Sequence, residues 1–97
     1  MGPVEQQIAD IVSAELMPVT MELTNESYMH SVPPGSESHF KLLVVSDAFV
    51  GQRKVARHQL LYTLLADQLT GPVHALALHT HTPEEWQALG SVPDSPN

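Results

Sequence analysis

The chain has 97 residues, enough for one domain with a thin core and too few for two. Hydrophobic residues make up 42% and charged residues 15%, a globular balance that excludes a disordered chain, and no run approaches the ~20 apolar residues of a membrane span. The net charge of −7 argues against general phosphate affinity, and the absence of cysteine excludes disulfides and intrinsic thiolate ligands.

Residues 4–16 are expected to be helical. Val4, Ile8, Ile11, Val12 and Leu16 follow helical spacing, Pro3 suits the first turn and Pro18 stops the helix. Residues 19–25 alternate, with Met21 and Leu23 on one face and Thr20, Glu22 and Thr24 on the other, the pattern of a half-buried strand. A polar loop follows over 26–38 and contains Pro33, Pro34, Gly35 and Ser36; loops of this length often carry function. Residues 39–46 are more apolar and read as a central strand.

Asp47–Gly51 form a turn before a helix that is expected to end near Leu69, with Gly71 as its C-cap. Leu60, Leu61, Leu64, Leu65 and Leu69 are its core stripe, and the same periodicity carried backward reaches Lys54, Arg57 and His58. Burying those charges is costly, so the helix is expected to break near 52–56 or to overhang the sheet edge. Residues 73–79 read as a third strand, with His74, Leu76 and Leu78 on one face. Thr82, Pro83 and Glu85 form a capping box for a last short helix, packed down by Trp86 and Leu89 and ended by Gly90. The order is αββαβα: an α+β fold with a three-stranded mixed sheet and helices packed on one face. One domain over 1–90 and a disordered tail over 91–97 are expected.

Charge is unevenly placed. All four Lys and Arg residues lie between Lys41 and Arg57, and Arg53, Lys54 and Arg57 with His58 surround a helix start where free N–H groups and positive side chains converge. This cluster is a candidate nucleic-acid or anion site, with a solubility role as the plain alternative. The six histidines are the candidate metal ligands. From spacing alone, His30 is an exposed loop residue and His74 a half-buried strand residue. His39 ends the loop and suits an anchoring hydrogen bond, while His79 and His81 alternate on one strand face as a chance metal pair. No P-loop, nucleophile motif or closed zinc motif is present, so no enzyme is expected. The N-terminus lacks a signal-peptide layout, and a cytoplasmic location is expected.

The loop Asn25–Phe40, with the later pieces Val44-Val45-Ser46-Asp47, Phe49 and Gly51, Arg57-His58, Gly71-Pro72-Val73-His74-Ala75-Leu76 and Thr82-Pro83-Glu84-Glu85-Trp86, resembles the BolA family. The resemblance covers about residues 5–89 and is nearest the bacterial stress-response and morphogene type. It implies a class II KH-like fold, although the KH Gly-x-x-Gly clamp has no counterpart here: Gly51 stands alone at that turn. It also implies a non-enzymatic adaptor that pairs with a monothiol glutaredoxin around a bridging 2Fe–2S cluster. His30 and His74 match the two ligand positions of the histidine-type subgroup, with the partner's cysteine and glutathione completing the cluster. Pro34, Gly35 and His39 are then loop-structuring residues. The alternative implied by the resemblance is a DNA-binding transcriptional regulator of stress response, cell shape and biofilm genes, acting through Arg53, Lys54, Arg57 and His58. Promoter DNA is then a partner, no membrane is involved, and the free chain is a monomer or a weak homodimer.

Overall fold

The computed structural model describes residues 2–90, so the expected tail over 91–97 lies outside the described residues. Helix α1 spans Pro3–Leu16, strand β1 Thr20–Asn25, strand β2 His39–Val45, helix α2 Lys54–Leu64, helix α3 Ala66–Thr70, strand β3 Ala75–His81 and helix α4 Pro83–Gly90. Two single 3-10 turns, Ser27–Met29 and Asp47–Phe49, follow β1 and β2. The sheet order is β1-β2-β3, with β1 antiparallel and β3 parallel to β2. The α+β reading of the sequence therefore holds.

The strand register divides the side chains between two faces. Met21, Leu23, Phe40, Leu42, Val44, Leu76, Leu78 and Thr80 share one face, because Leu42 pairs with both Leu23 and Leu78 and side chains alternate along each strand. That face meets Ile8, Val12 and Leu16 of α1 and Leu61 of α2, joined by Phe49, Leu65 and Val73. Each such fully buried side chain stabilises the fold by roughly 1.5–3 kcal/mol. The opposite face carries Glu22, Thr24, Lys41, Ala77 and His79, all exposed.

Polar side chains fix the ends of these elements. The carboxylate of Glu37, in the loop before β2, accepts hydrogen bonds from the N–H groups of Val4 and Glu5 at 3.3 and 2.8 Å. It caps the positive end of α1 from far along the chain. At the other end of α1, Met17 closes the helix in the left-handed conformation (φ 41) and donates to the Ser13 carbonyl. Ser46, fully buried after β2, donates its hydroxyl to the Leu16 carbonyl at 2.6 Å and accepts from the Ala48 N–H. Its own N–H bonds the His81 carbonyl, so one residue ties α1, β2 and β3.

Three elements depart from the sequence expectation. The helix expected to reach Leu69 breaks at Leu65 (φ −104, ψ 21) into α2 and α3. Beyond the break Gln68 lies inward, donating to the Gln7 side chain at 3.2 Å, and Gly71 ends α3. Strand β3 runs over 75–81 rather than 73–79: Val73 is a core residue bonded to Gln68, and the Ser46 bond holds the strand as far as His81. Helix α4 has the expected capping box, with Thr82 Oγ1 accepting from the Glu85 N–H at 3.1 Å and Glu85 Oε1 accepting from the Thr82 N–H at 3.0 Å. Leu89, expected to pack α4 down, is instead 47% exposed, and Trp86 lies against His81 with ring centroids 5.6 Å apart.

Helix α2 starts at Lys54, inside the window expected for a break, after Gly51 (φ 80) turns the chain. Arg57 is nevertheless buried, at 5% exposure. Its guanidinium donates to both Glu85 carboxylate oxygens at 2.7 and 3.0 Å, to the Gln52 carbonyl at 2.8 Å and to the Thr80 carbonyl at 3.3 Å. Its Cζ also lies 5.7 Å from the centroid of the Phe49 ring. The two-pronged pair offsets the desolvation of the cation and joins α2 to α4 and β3.

Both polar anchors can be tested. Ser46→Ala strands the Leu16 carbonyl and frees the N-terminus of the 3-10 turn, and urea unfolding is expected to show a loss of about 1–3 kcal/mol. The hydrogen bonds from Arg57 hold the Glu85 carboxyl down at about 2, against an ordinary 4.5. A depressed carboxyl contributes stability that is complete above the unfolded value and lost as pH falls through the folded one. Thermal melts of the wild type therefore fall between pH 4.5 and about 2, whereas Glu85→Gln starts lower at neutral pH and lacks this part of the fall.

Candidate functional site

The loop after β1 is held in shape by its own short polar residues. Asn25 accepts from the Ser27 N–H at 2.9 Å and donates to the Ser36 carbonyl at 3.0 Å, clasping both limbs of the loop. The buried Ser27 hydroxyl accepts from the N–H groups of Ser38 and His39 at 3.0 and 3.1 Å. Pro34 and Gly35 form the centre of a β-turn closed by the Ser36 N–H on the Pro33 carbonyl. Gly35 has φ 81, which this turn requires after a proline and which a side chain resists. A cleft of about 430 Å³ opens between Tyr28, Val32 and the proline turn.

This scaffold delivers His30 and His39 to one place. The His30 N–H bonds the Ser27 carbonyl, ending the 3-10 turn, and its ring stacks on His39 with centroids 3.7 Å apart and planes 16° from parallel. His74 arrives from the other direction. Its N–H and that of Ala75 both donate to the Ser38 carbonyl, at 2.7 and 3.1 Å, which starts the parallel β2–β3 ladder. The His74 ring lies 6.4 Å from the His39 ring, with planes 12° apart. His39 is thus the ring common to both contacts. Its Nδ1 lies 2.8 Å from Ser38 Oγ, and among the described residues Nε2 has no hydrogen-bond partner. Burial, then the neighbouring His30 and His74, lower its pKa below that of an ordinary histidine. His30 and His74 are exposed, and His39 is half-buried.

Sequence position makes His39 a loop anchor, and its bond to Ser38 fits that role. Its stacking on His30 is not legible in the sequence. Such a stack requires the loop to fold back over the start of β2, which no local pattern announces. The cap on α1 by Glu37 is equally hidden, since its partners lie more than 30 residues away.

The cationic cluster divides. Arg53 and Lys54 are exposed at the start of α2, where no side chain caps the helix. Arg57, expected to bind an anion with them, is buried and committed to Glu85, so it belongs to the interior. His58 is half-buried. A second cleft, about 360 Å³, lies between Lys54, His81, Glu85 and Leu89. Burial and the nearby Lys54 lower the pKa of His81. His79 and His81 stand apart from the His30–His39–His74 group, and among the described residues no three metal-binding side chains converge on a single ion. Among the described residues no helix is long and apolar enough to cross a membrane.

The histidine patch can chemically offer imidazole nitrogens on an accessible surface and no sulfur. Such a donor set suits a metal centre whose remaining ligands come from elsewhere. Comparison with known proteins agrees with the fold. The family model "BolA-like protein" matches residues 12–85. The chain is 49% identical over 86 residues to a protein of Escherichia coli called DNA-binding transcriptional regulator BolA, covering 89% of this chain and 82% of that one. Among solved structures, mouse BolA1 superposes with a TM-score of 0.84 at 43% identity, covering 96% of this chain and 76% of that one. The BolA domain of SufE1 from Arabidopsis thaliana superposes with a TM-score of 0.82 at 41% identity, covering 88% and 98%. With most of its length inside the family model and its fold shared with these relatives, the chain belongs to the BolA-like protein family.

Proposed function

We propose that this protein is a cytoplasmic, non-enzymatic adaptor that shares a 2Fe–2S cluster with a monothiol glutaredoxin and serves iron–sulfur trafficking or iron regulation. The observation that carries this reading is the packing of His30, His39 and His74 on one accessible patch of a chain without cysteine. His30 and His74 are the assigned ligands, being the exposed members. His39, with one nitrogen against Ser38, holds the His30 ring.

Donor chemistry supports the assignment. Two imidazoles are a suitable pair for one iron of a two-iron cluster and raise its potential over an all-thiolate set. They do not close a coordination shell, so the cluster is cargo held between two proteins. The glutaredoxin cysteine and the thiol of glutathione supply the sulfur ligands that this chain lacks. Anaerobic reconstitution with a monothiol glutaredoxin, glutathione, iron and sulfide is expected to give a heterodimer whose visible circular dichroism differs from that of the glutaredoxin alone. His30→Ala and His74→Ala are each expected to change that spectrum, and an unchanged spectrum in both removes the ligand assignment.

A second reading, regulation of transcription through promoter DNA, is favoured by the exposed Arg53 and Lys54 at the uncapped start of α2 and by the name of the Escherichia coli relative. Two cations give a shallow salt dependence. Arg53→Ala combined with Lys54→Ala is expected to weaken promoter binding and to reduce the slope of log affinity against log salt by about 0.9 for each phosphate no longer neutralised. Undiminished binding in a gel-shift titration would refute the role of this helix start. Arg57 is no part of this test, because its loss opens the core.

A further inference from the structure

The cleft between α2, α4 and the end of β3 lies far from the histidine patch. It is lined by Lys54, His81, Glu85, Ala88 and Leu89 and has a volume of about 360 Å³. Strand β3 separates the two places: Ala75, next to His74, pairs with His39, whereas His81 pairs with Val45. The seven residues of β3 put roughly 20 Å between them. One side of the cleft is apolar. Ala88 and Leu89 are exposed, Leu89 at 47%, on a helix that buries no residue fully. The half-buried His81 ring, set against Trp86 with centroids 5.6 Å apart, adds a flat wall.

Lys54 gives the cleft its charge. Glu85 also lines it, but both of its carboxylate oxygens are on the Arg57 guanidinium, at 2.7 and 3.0 Å, and that pair is neutral as a unit. Lys54 is exposed and makes no ion pair among the described residues. Its charge is felt inside the cleft: burial, then Lys54, hold the His81 pKa down, and the opposing pull of Glu85 is smaller. An apolar wall beside one uncompensated cation suits an apolar side chain that has a carboxylate next to it. A nucleic-acid backbone is a poorer fit, because it asks for a row of cations and would meet the Glu85 carboxylate in the wall. The volume stands at the low end for a ligand site, room for a side chain rather than a whole cofactor.

We infer that this cleft docks an acidic peptide segment of a partner protein, taking one large apolar side chain between His81, Ala88 and Leu89 and a flanking carboxylate on Lys54. The protein then has a contact site at each end of its sheet, far enough apart for two partners to be held at once. The peptide site does not depend on the histidine patch holding a cluster.

The test is an NMR titration of the full chain, following backbone amides, with short acetylated and amidated peptides in which a central Leu, Phe or Trp is flanked by Asp on both sides. At least one of them is expected to shift Lys54, His81, Ala88 and Leu89 together, at up to roughly millimolar concentration, and to leave His30, His39 and His74 unmoved. A control peptide with Ser at its centre is expected to shift none of them. Lys54→Glu and Leu89→Ser change exposed side chains, and the first places an acid where the α2 dipole favours it, so both chains fold. Each is expected to weaken binding by about tenfold or more. The inference is overturned if no peptide moves the cleft, if the Ser control moves it equally, or if Leu89→Ser leaves binding unchanged. A DNA duplex that shifts these four amides where the peptides do not also overturns it. So do peptides that bind only once residues 91–97 are deleted, which would make that segment the occupant.

Discussion

The carbonyl oxygen of Ser38 is the junction on which this molecule depends. It accepts the N–H groups of both His74 and Ala75 and so starts the parallel pairing of β2 with β3. A parallel pair cannot be closed by a tight turn. Its register must be set by contacts between segments far apart in sequence, here residues 38–39 and 74–75. The same residue faces its other groups toward the loop: its N–H goes to Ser27 Oγ, and its hydroxyl meets the His39 ring. Sheet register and histidine geometry are therefore one structural decision. A slip of one residue along β2 would reverse the faces of β3 and carry Leu76 and Leu78 out of the core.

A second constraint acts at the opposite end of the sheet. A cation inside a small core is unfavourable unless its hydrogen bonds are met, and Arg57 meets them with one carboxylate and two carbonyls. Glu85 serves twice, closing the capping box of α4 and receiving the guanidinium. This shared carboxylate positions a helix that buries no residue fully of its own. Polar bonding holds α4 where apolar packing holds α1 and α2.

Much of the fold is legible in the sequence because its signals are local. Helical spacing in α1, alternation in β1, the apolar run of β2 and the capping box of α4 each announce an element from its own residues. Less legible are features made by distant partners. Nothing in the spacing of Lys54, Arg57 and His58 says that the middle residue turns inward, because Glu85 lies 28 positions on. The break at Leu65 has no glycine or proline to mark it. For the site, the resemblance points to His30 and His74, whereas the stack of His39 on His30 emerges only once the loop is folded. Pro34 and Gly35 are readable as a turn because their backbone preferences are intrinsic.

The bond between Glu37 and the first turn of α1 has a wider consequence. Glu37 lies two residues before His39, so the second limb of the histidine loop is moored to the start of that helix. Gly2, the residue before that turn, lies so close to the carboxylate that a side chain there would take its place. The segment leading into α1 is thus a remote handle on the histidines. A substitution that reshapes Gly2 or Pro3 acts on the loop without touching a histidine, so the construction of the histidine patch extends to the start of α1.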